Sequence, residues 1–327
     1  MIGDENILVN RDRQDFVYID AEGDKHRYLL EVFTTLKFEE IEGFFAKAIE
    51  QEFKNKYVLI QGLSCKVLER FNTPDFDEIK PSVPSNVLSV LEKSLWNYEE
   101  FCSKHSKYRF SNTLGILIYG QPGIGKTFVL RSYLNKLLLE RNFTIVQVYQ
   151  NALRHLNISV LLDSCKYLFP CILFIEDIDI QFKDRSEFAS SLASQILETF
   201  EGLSQVRDVV LIATSNNVNV VEKAMLRPGR IDYLLDMDKP SRNVKESVLL
   251  KYTSELDFSF PEHLIDTMVN SVDTFAELNG AYQHVIRSYL STAEFPSPDE
   301  IATMARRWRE TRFSGLPEIK ERKVGLV

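Results

Sequence analysis

Gly120-Gln121-Pro122-Gly123-Ile124-Gly125-Lys126-Thr127 fits G-x-x-x-x-G-K-[ST], the phosphate-binding loop. Leu114-Gly115-Ile116-Leu117-Ile118-Tyr119 runs into it as a short apolar segment, the pattern of a buried strand, and Phe128 to Leu134 runs out of it as a helix. Glycines at this spacing let backbone N–H groups turn inward around phosphate oxygens, and the N-terminus of the next helix adds partial positive charge. Lys126 is the cation expected at the β- and γ-phosphates, and Thr127 offers a hydroxyl to Mg2+. Gly120, Gln121, Pro122, Gly123, Ile124, Gly125, Lys126, Thr127 and the adjacent Phe128 are therefore the candidate nucleotide-binding residues. ATP and Mg2+ are the expected cofactors. A glycine turn with no ligand is the simpler alternative, but motif, strand and helix agree against it.

From about residue 110 to 238 strands and helices alternate, the pattern of an α/β fold with a parallel sheet. Thr144 to Tyr149 reads as a second strand and Cys171 to Ile175 as a third, continuously apolar and so buried on both faces. The third delivers Glu176-Asp177-Ile178-Asp179 at its C-terminal end, the edge where such sheets bind ligands. Phe188, Leu192, Ile196 and Phe200 mark an amphipathic helix, and Val209 to Ala213 a fourth strand ending in Thr214-Ser215-Asn216. Two adjacent acids after a buried strand are costly unless they meet a cation or water. Glu176 is expected to hold Mg2+ through water, and Asp177 to polarise the water that attacks the γ-phosphate. Arg227 and Arg230 flank a Pro228-Gly229 turn; a guanidinium there can stabilise a transferring phosphoryl group, also from a neighbouring subunit.

These motifs together resemble the AAA family of ATPases, over about residues 75 to 290. Gly120 to Thr127 is similar to its Walker A motif, Ile172 to Asp179 to its Walker B strand, and Ala213 to Asn216 to its sensor-1 strand. Ala224-Met225-Leu226-Arg227-Pro228-Gly229-Arg230-Ile231-Asp232 is similar to its second region of homology. The resemblance implies a Mg2+-dependent ATPase that forms a ring, expected as a homo-hexamer, and remodels a protein partner. It also implies that Asn216 is a polar sensor beside the γ-phosphate, and that Arg227 and Arg230 reach the ATP of the next subunit. Asp177, Asn216, Arg227 and Arg230 are thus the candidate catalytic residues, and Thr127 and Glu176 the candidate metal residues.

The chain also departs from that family. Its Walker B acids are in reversed order, with Glu176 where Asp is usual and Asp177 where the catalytic Glu is usual. Arg154-His155-Leu156-Asn157 offers no aromatic–apolar–glycine pore loop. Asp273 to Leu278 sits where the lid's sensor-2 helix begins, yet carries no arginine in its first turns. Its Ala-Glu-Leu pattern resembles the subfamily of the mitochondrial Rieske-protein translocase and its small bacterial and phage relatives, whose membrane anchor is not expected here.

Three segments are expected. Residues 1–73 form a small α+β domain for partner recruitment, with strands at Phe16–Ile19, Tyr28–Phe33 and Tyr57–Ile60, a helix bearing Ile41 to Phe53, and a linker at Asn72-Thr73-Pro74. Residues 74–238 form the nucleotide-binding α/β core, and 239–327 a helical lid and tail. Ser297-Pro298-Asp299-Glu300 is a helix start with Ser at the cap, Pro at N1 and Glu at N3. A formal charge of −8 and the absence of an 18-residue apolar run point to a cytoplasmic protein with no membrane partner and no broad affinity for nucleic acid. Arg306-Arg307-Trp308-Arg309 could form a local nucleic-acid patch or a solvated helix face with the indole packed beneath it. The four cysteines lack metal spacing and read as buried thiols. An ATP-gated switch with poor hydrolysis, and an ATPase acting on nucleic acid, stand as alternatives to the remodelling enzyme.

Overall fold

The computed structural model describes residues 7–10, 15–21, 28–33, 47, 49–61, 64–105, 114–149, 152, 158–178, 208–216 and 231–313. Two compact units divide the chain: Met1–Gly120 with Lys126–Met237, and Gln121–Gly125 with Asp238–Val327.

The first unit begins with an antiparallel sheet of β1 (Ile7–Asn10), β2 (Asp15–Ala21) and β3 (Tyr28–Phe33), in that order. Next come β4 (Tyr57–Gln61) and β5 (Ser64–Leu68), an antiparallel pair. Helices α1 (Phe76–Ile79) and α2 (Ser85–Val90) follow; α2 runs on as a wider π turn over Leu91–Leu95 before α3 (Tyr98–His105). The core then alternates: β6 (Leu114–Tyr119), α4 (Lys126–Arg141), β7 (Thr144–Val148), α5 (Ile158–Cys165), β8 (Cys171–Ile175), β9 (Val209–Ser215) and β10 (Tyr233–Asp236).

Seven strands form one sheet in the order β10-β6-β9-β8-β7-β4-β5, parallel except for β5. Every residue of β7, β8 and β9 is buried, as expected of strands covered on both faces. Their Val146, Leu173, Ile175 and Leu211 share a core with Leu117 of β6 and Leu162 of α5. The α/β core with a parallel sheet is as the sequence predicts.

The segmentation differs from expectation at the N-terminal side. β4 pairs in parallel with β7, so residues 57–68 extend the core sheet rather than complete a separate α+β domain ending at 73. The Asn72-Thr73-Pro74 linker is also tied down. Asn135 of α4 accepts from the Phe71 N–H at 2.8 Å and donates to the Phe71 carbonyl at 2.7 Å and to the Thr73 hydroxyl at 3.0 Å. Polar Asn-Thr-Pro sequence signals a turn, but one asparagine on a neighbouring helix holds both backbone groups of Phe71 just before it and the Thr73 hydroxyl within it. Residues 41, 44, 45 and 48 of the expected N-terminal helix lie outside the described residues, as does the helix read at 188–200.

The second unit holds α6 (Arg242–Ser254), α7 (Glu262–Ser271), α8 (Phe275–Thr292) and α9 (Pro298–Phe313). Leu249, Leu264, Met268, Leu278, Val285 and Ile301 form its core. The Lys245 ammonium is buried yet satisfied, donating to the carbonyls of Val269 and Val272 at 2.7 Å each, the free C-terminal end of α7. Thr274 and Glu277 form a capping box at the start of α8. Ser297 and Glu300 do the same for α9, as the sequence predicts: the Ser297 N–H donates to Glu300 Oε2 at 2.7 Å, and the Glu300 N–H to Ser297 Oγ at 3.3 Å. Trp308 packs across Gly280, where a Cβ would lie 2.9 Å from the ring's Cη2. The indole therefore serves the helix packing of this unit, with Arg306 and Arg307 exposed beside it.

Candidate functional site

β6 stops at Tyr119 and the chain enters a loop whose three glycines, Gly120, Gly123 and Gly125, have φ of 154°, 82° and 95°. Gly123 is fixed for a second reason. Within the C-terminal unit its carbonyl accepts from the Ala276 N–H at 3.0 Å, and a Cβ on it would meet the Ala276 Cβ at 2.6 Å. Only glycine meets both demands. α4 then starts at Lys126, so the lysine and Thr127 occupy its first turn, where N–H groups have no partner inside the helix.

The chain just past β6 and just past β8 is joined to the end of β9 by main-chain bonds. The Gly120 N–H donates to the Ser215 carbonyl at 3.2 Å, and the Ile178 N–H to the Thr214 carbonyl at 2.9 Å. The buried Lys126 ammonium donates to the Gly120 carbonyl at 2.9 Å and to Asn216 Oδ1 at 2.8 Å. Asn216 Nδ2 in turn donates to Asp177 Oδ1 at 3.0 Å, and the Asp177 N–H to the Thr214 hydroxyl at 3.0 Å. Lys126, Asn216 and Asp177, predicted separately from three motifs, are thus one hydrogen-bonded row. Asp177 has φ of 47°, the left-handed region that Asp and Asn tolerate best among side-chain-bearing residues.

Glu176 points to a different set of partners. Its Oε1 accepts from Arg131 Nη2 at 2.6 Å and from Gln147 Nε2 at 2.8 Å. Burial pushes its carboxyl above the usual range; the Arg131 charge opposes that rise, and the Asp177 charge adds to it. Arg131 and Gln147 were not among the sequence candidates, although each leaves a trace. Arg131 lies four residues after Thr127, on the same face of α4 one turn on, and Gln147 is a polar residue set between Val146 and Val148 in a fully buried strand. Thr127 is half-buried, and Phe128 next to it is exposed. Arg227, Arg230, Asp179 and the segment 154–157 lie outside the described residues.

The donor set fits a magnesium nucleotide. Glycine N–H groups, a lysine and a helix N-terminus suit phosphates, and the Thr127 hydroxyl with the two acids suits a hard, oxygen-loving cation. Among the described residues no cluster of three or more His, Cys, Asp or Glu could hold a metal unaided.

A parallel sheet whose strand β6 runs through a glycine loop into a helix, with two acids after β8 and an asparagine after the β9 strand between them, is the arrangement of a P-loop nucleotide-binding protein. Residues 116–239 match the family model of the ATPase family associated with various cellular activities, AAA. The chain is 30% identical over 183 residues to a protein of Plasmodium falciparum (isolate 3D7) named as a cell division cycle ATPase, covering 53% of this chain and 14% of that one. Proteasome-associated ATPases of Acidimicrobium ferrooxidans and Nakamurella multipartita are 24% and 26% identical, over 60% and 58% of this chain and 40% and 36% of theirs. The chain therefore spans less than half the length of these curated relatives. Among the described residues no helix is long and apolar enough to cross a membrane.

Proposed function

We propose that this chain is a Mg2+-dependent ATPase that assembles into a ring, a homo-hexamer, and uses ATP to remodel a protein partner. The observation that carries the reading is the hydrogen-bonded row Lys126–Asn216–Asp177, which joins the lysine of the G-x-x-x-x-G-K-[ST] motif to the acid that follows β8. Lys126 binds the β- and γ-phosphates, and the loop N–H groups orient them for in-line attack. Asp177 accepts a proton from the attacking water, while Asn216 holds the Asp177 carboxylate and the Lys126 ammonium in register. Thr127 and Glu176 would hold Mg2+, which supplies charge neutralisation on the phosphates when bound. Arg227 and Arg230 act on the ATP of the adjacent subunit. The nucleic-acid alternative is disfavoured by the packing of Trp308 on Gly280, which removes the stacking platform that reading needs. The protein partner follows the names of the relatives, two of which are proteasome-associated ATPases.

A site split between subunits links assembly to nucleotide. Turnover per subunit, read as phosphate release, is expected to rise with protein concentration and to saturate as the ring forms. Arg230→Ala and Lys126→Ala are each expected to be inactive alone and to regain part of the activity when mixed. A strictly monomeric mass at tens of micromolar with saturating MgATP, or mixtures no more active than their components, would sink the ring. A nucleotide switch takes its place if ATP binds tightly and no phosphate is released.

A further inference from the structure

We propose that Arg131 and Tyr57, neither in a nucleotide-binding motif, are positioning residues for Glu176 that fix which of its carboxylate oxygens faces the magnesium nucleotide. This rests on the ATPase reading above. Both side-chain donors converge on Oε1: Arg131 Nη2 at 2.6 Å and Gln147 Nε2 at 2.8 Å. Among the described residues no protein donor reaches Oε2. One oxygen is thus anchored to protein and the other keeps its lone pairs for a metal-bound water.

Each anchor is itself held. Gln147 presents nitrogen to Glu176 and oxygen to Tyr57: the Tyr57 hydroxyl donates to Gln147 Oε1 at 2.5 Å, with both residues fully buried. A flipped amide would set two oxygens against each other at Glu176, and the Tyr57 bond holds the amide's other end in place. Burial holds the Tyr57 phenol in its protonated, donating form by raising its pKa far above the ordinary value. Arg131 is fixed by its plane. Its Cζ lies 4.0 Å from the centroid of the Phe71 ring, and its Nη2 donates to the Tyr149 hydroxyl at 3.0 Å. Tyr57 comes from β4 and Phe71 follows β5, so the strand pair at the edge of the sheet completes the clamp. The chemical need is clear. Glu has one more rotatable bond than Asp, and an unanchored Glu carboxylate would sample positions that an Asp at the same place does not reach.

The test compares MgATP turnover of the parent, Glu176→Gln, Arg131→Met and the double variant. Arg131→Met is expected to lower kcat about tenfold while KM for ATP shifts by less than about threefold, because placement and not binding is lost. The double variant is expected to be no slower than Glu176→Gln alone, since Arg131 acts only through Glu176. Arg131→Lys should recover part of the loss, and Tyr57→Phe should lower kcat about threefold. If Arg131→Met does not fold, Arg131→Lys and Tyr57→Phe carry the same comparison with Glu176→Gln. A folded Arg131→Met within about twofold of the parent, or losses that multiply in the double variant, would overturn the assignment. A parent with no MgATP turnover removes the ATPase reading and this inference with it. A parent that turns over ATP and shows multiplying losses removes this inference alone.

Discussion

Lys126→Ala folds like the parent but binds ATP about a hundredfold more weakly, or worse, in a fluorescent-nucleotide titration. The lysine is the cation that opens α4 at the end of the glycine loop, and the residue is only 5% exposed. It is already oriented by the Gly120 carbonyl and Asn216 Oδ1, so little ordering remains to be done when phosphate arrives. Removing one partner of a buried charge-assisted contact costs about 2–5 kcal/mol, and about 1.4 kcal/mol is a factor of ten in affinity. The rest of the loop, with its backbone N–H groups, is left in place. The residual affinity should therefore be weak rather than zero. Equal affinity for variant and parent would defeat the assignment of this loop to phosphate.

Asp177→Asn is expected to bind ATP within about threefold of the parent and to lose about a hundredfold or more in turnover. The substitution is close to a pure removal of charge. Asn occupies the left-handed φ of 47° as readily as Asp, and its side-chain oxygen can still accept from Asn216 Nδ2. The main-chain bond from residue 177 to the Thr214 hydroxyl is untouched. What goes is the base that takes the proton of the attacking water, worth about 10²–10⁴-fold in typical enzymes. A variant that releases phosphate as fast as the parent would show that Asp177 is not the general base. Loss of ATP binding together with turnover would place Asp177 in the binding of the nucleotide instead.

The parts of this molecule that repeat a strong local pattern are legible in its sequence. Continuous apolar runs place β6 and β8 to the residue, and the spacing of Ser297, Pro298 and Glu300 places the start of α9. Lys126, Asp177 and Asn216 are also legible, because each follows directly from the end of a buried strand or opens a helix. Pairings between distant segments are not. Nothing local tells β4 to join β7 rather than the strands before it, since an apolar strand of five residues fits either sheet. Neither β5, half-polar and at an edge, nor the short β10 shows a run strong enough to read. The reversed order of the acids reads as a handicap until the backbone is seen. A left-handed residue 177 suits a short Asp, and the longer Glu176 has anchors waiting at Arg131 and Gln147.

The junction of β4 with β7 limits how the chain can be cut. All residues of β7 are covered, Ile145, Val146 and Val148 among them. The N–H groups of Ile145 and Tyr149 on its outer side are taken up by the carbonyls of Lys56 and Ile60. A chain shortened to residues 75–327 would leave these groups bare along a flat, greasy border, the surface on which one sheet recruits another copy of itself. Such a fragment is expected to aggregate even though every nucleotide-binding motif remains in it. The boundary for dissection therefore lies upstream of Lys56, and what separates from the seven-stranded sheet is at most the small sheet of β1, β2 and β3.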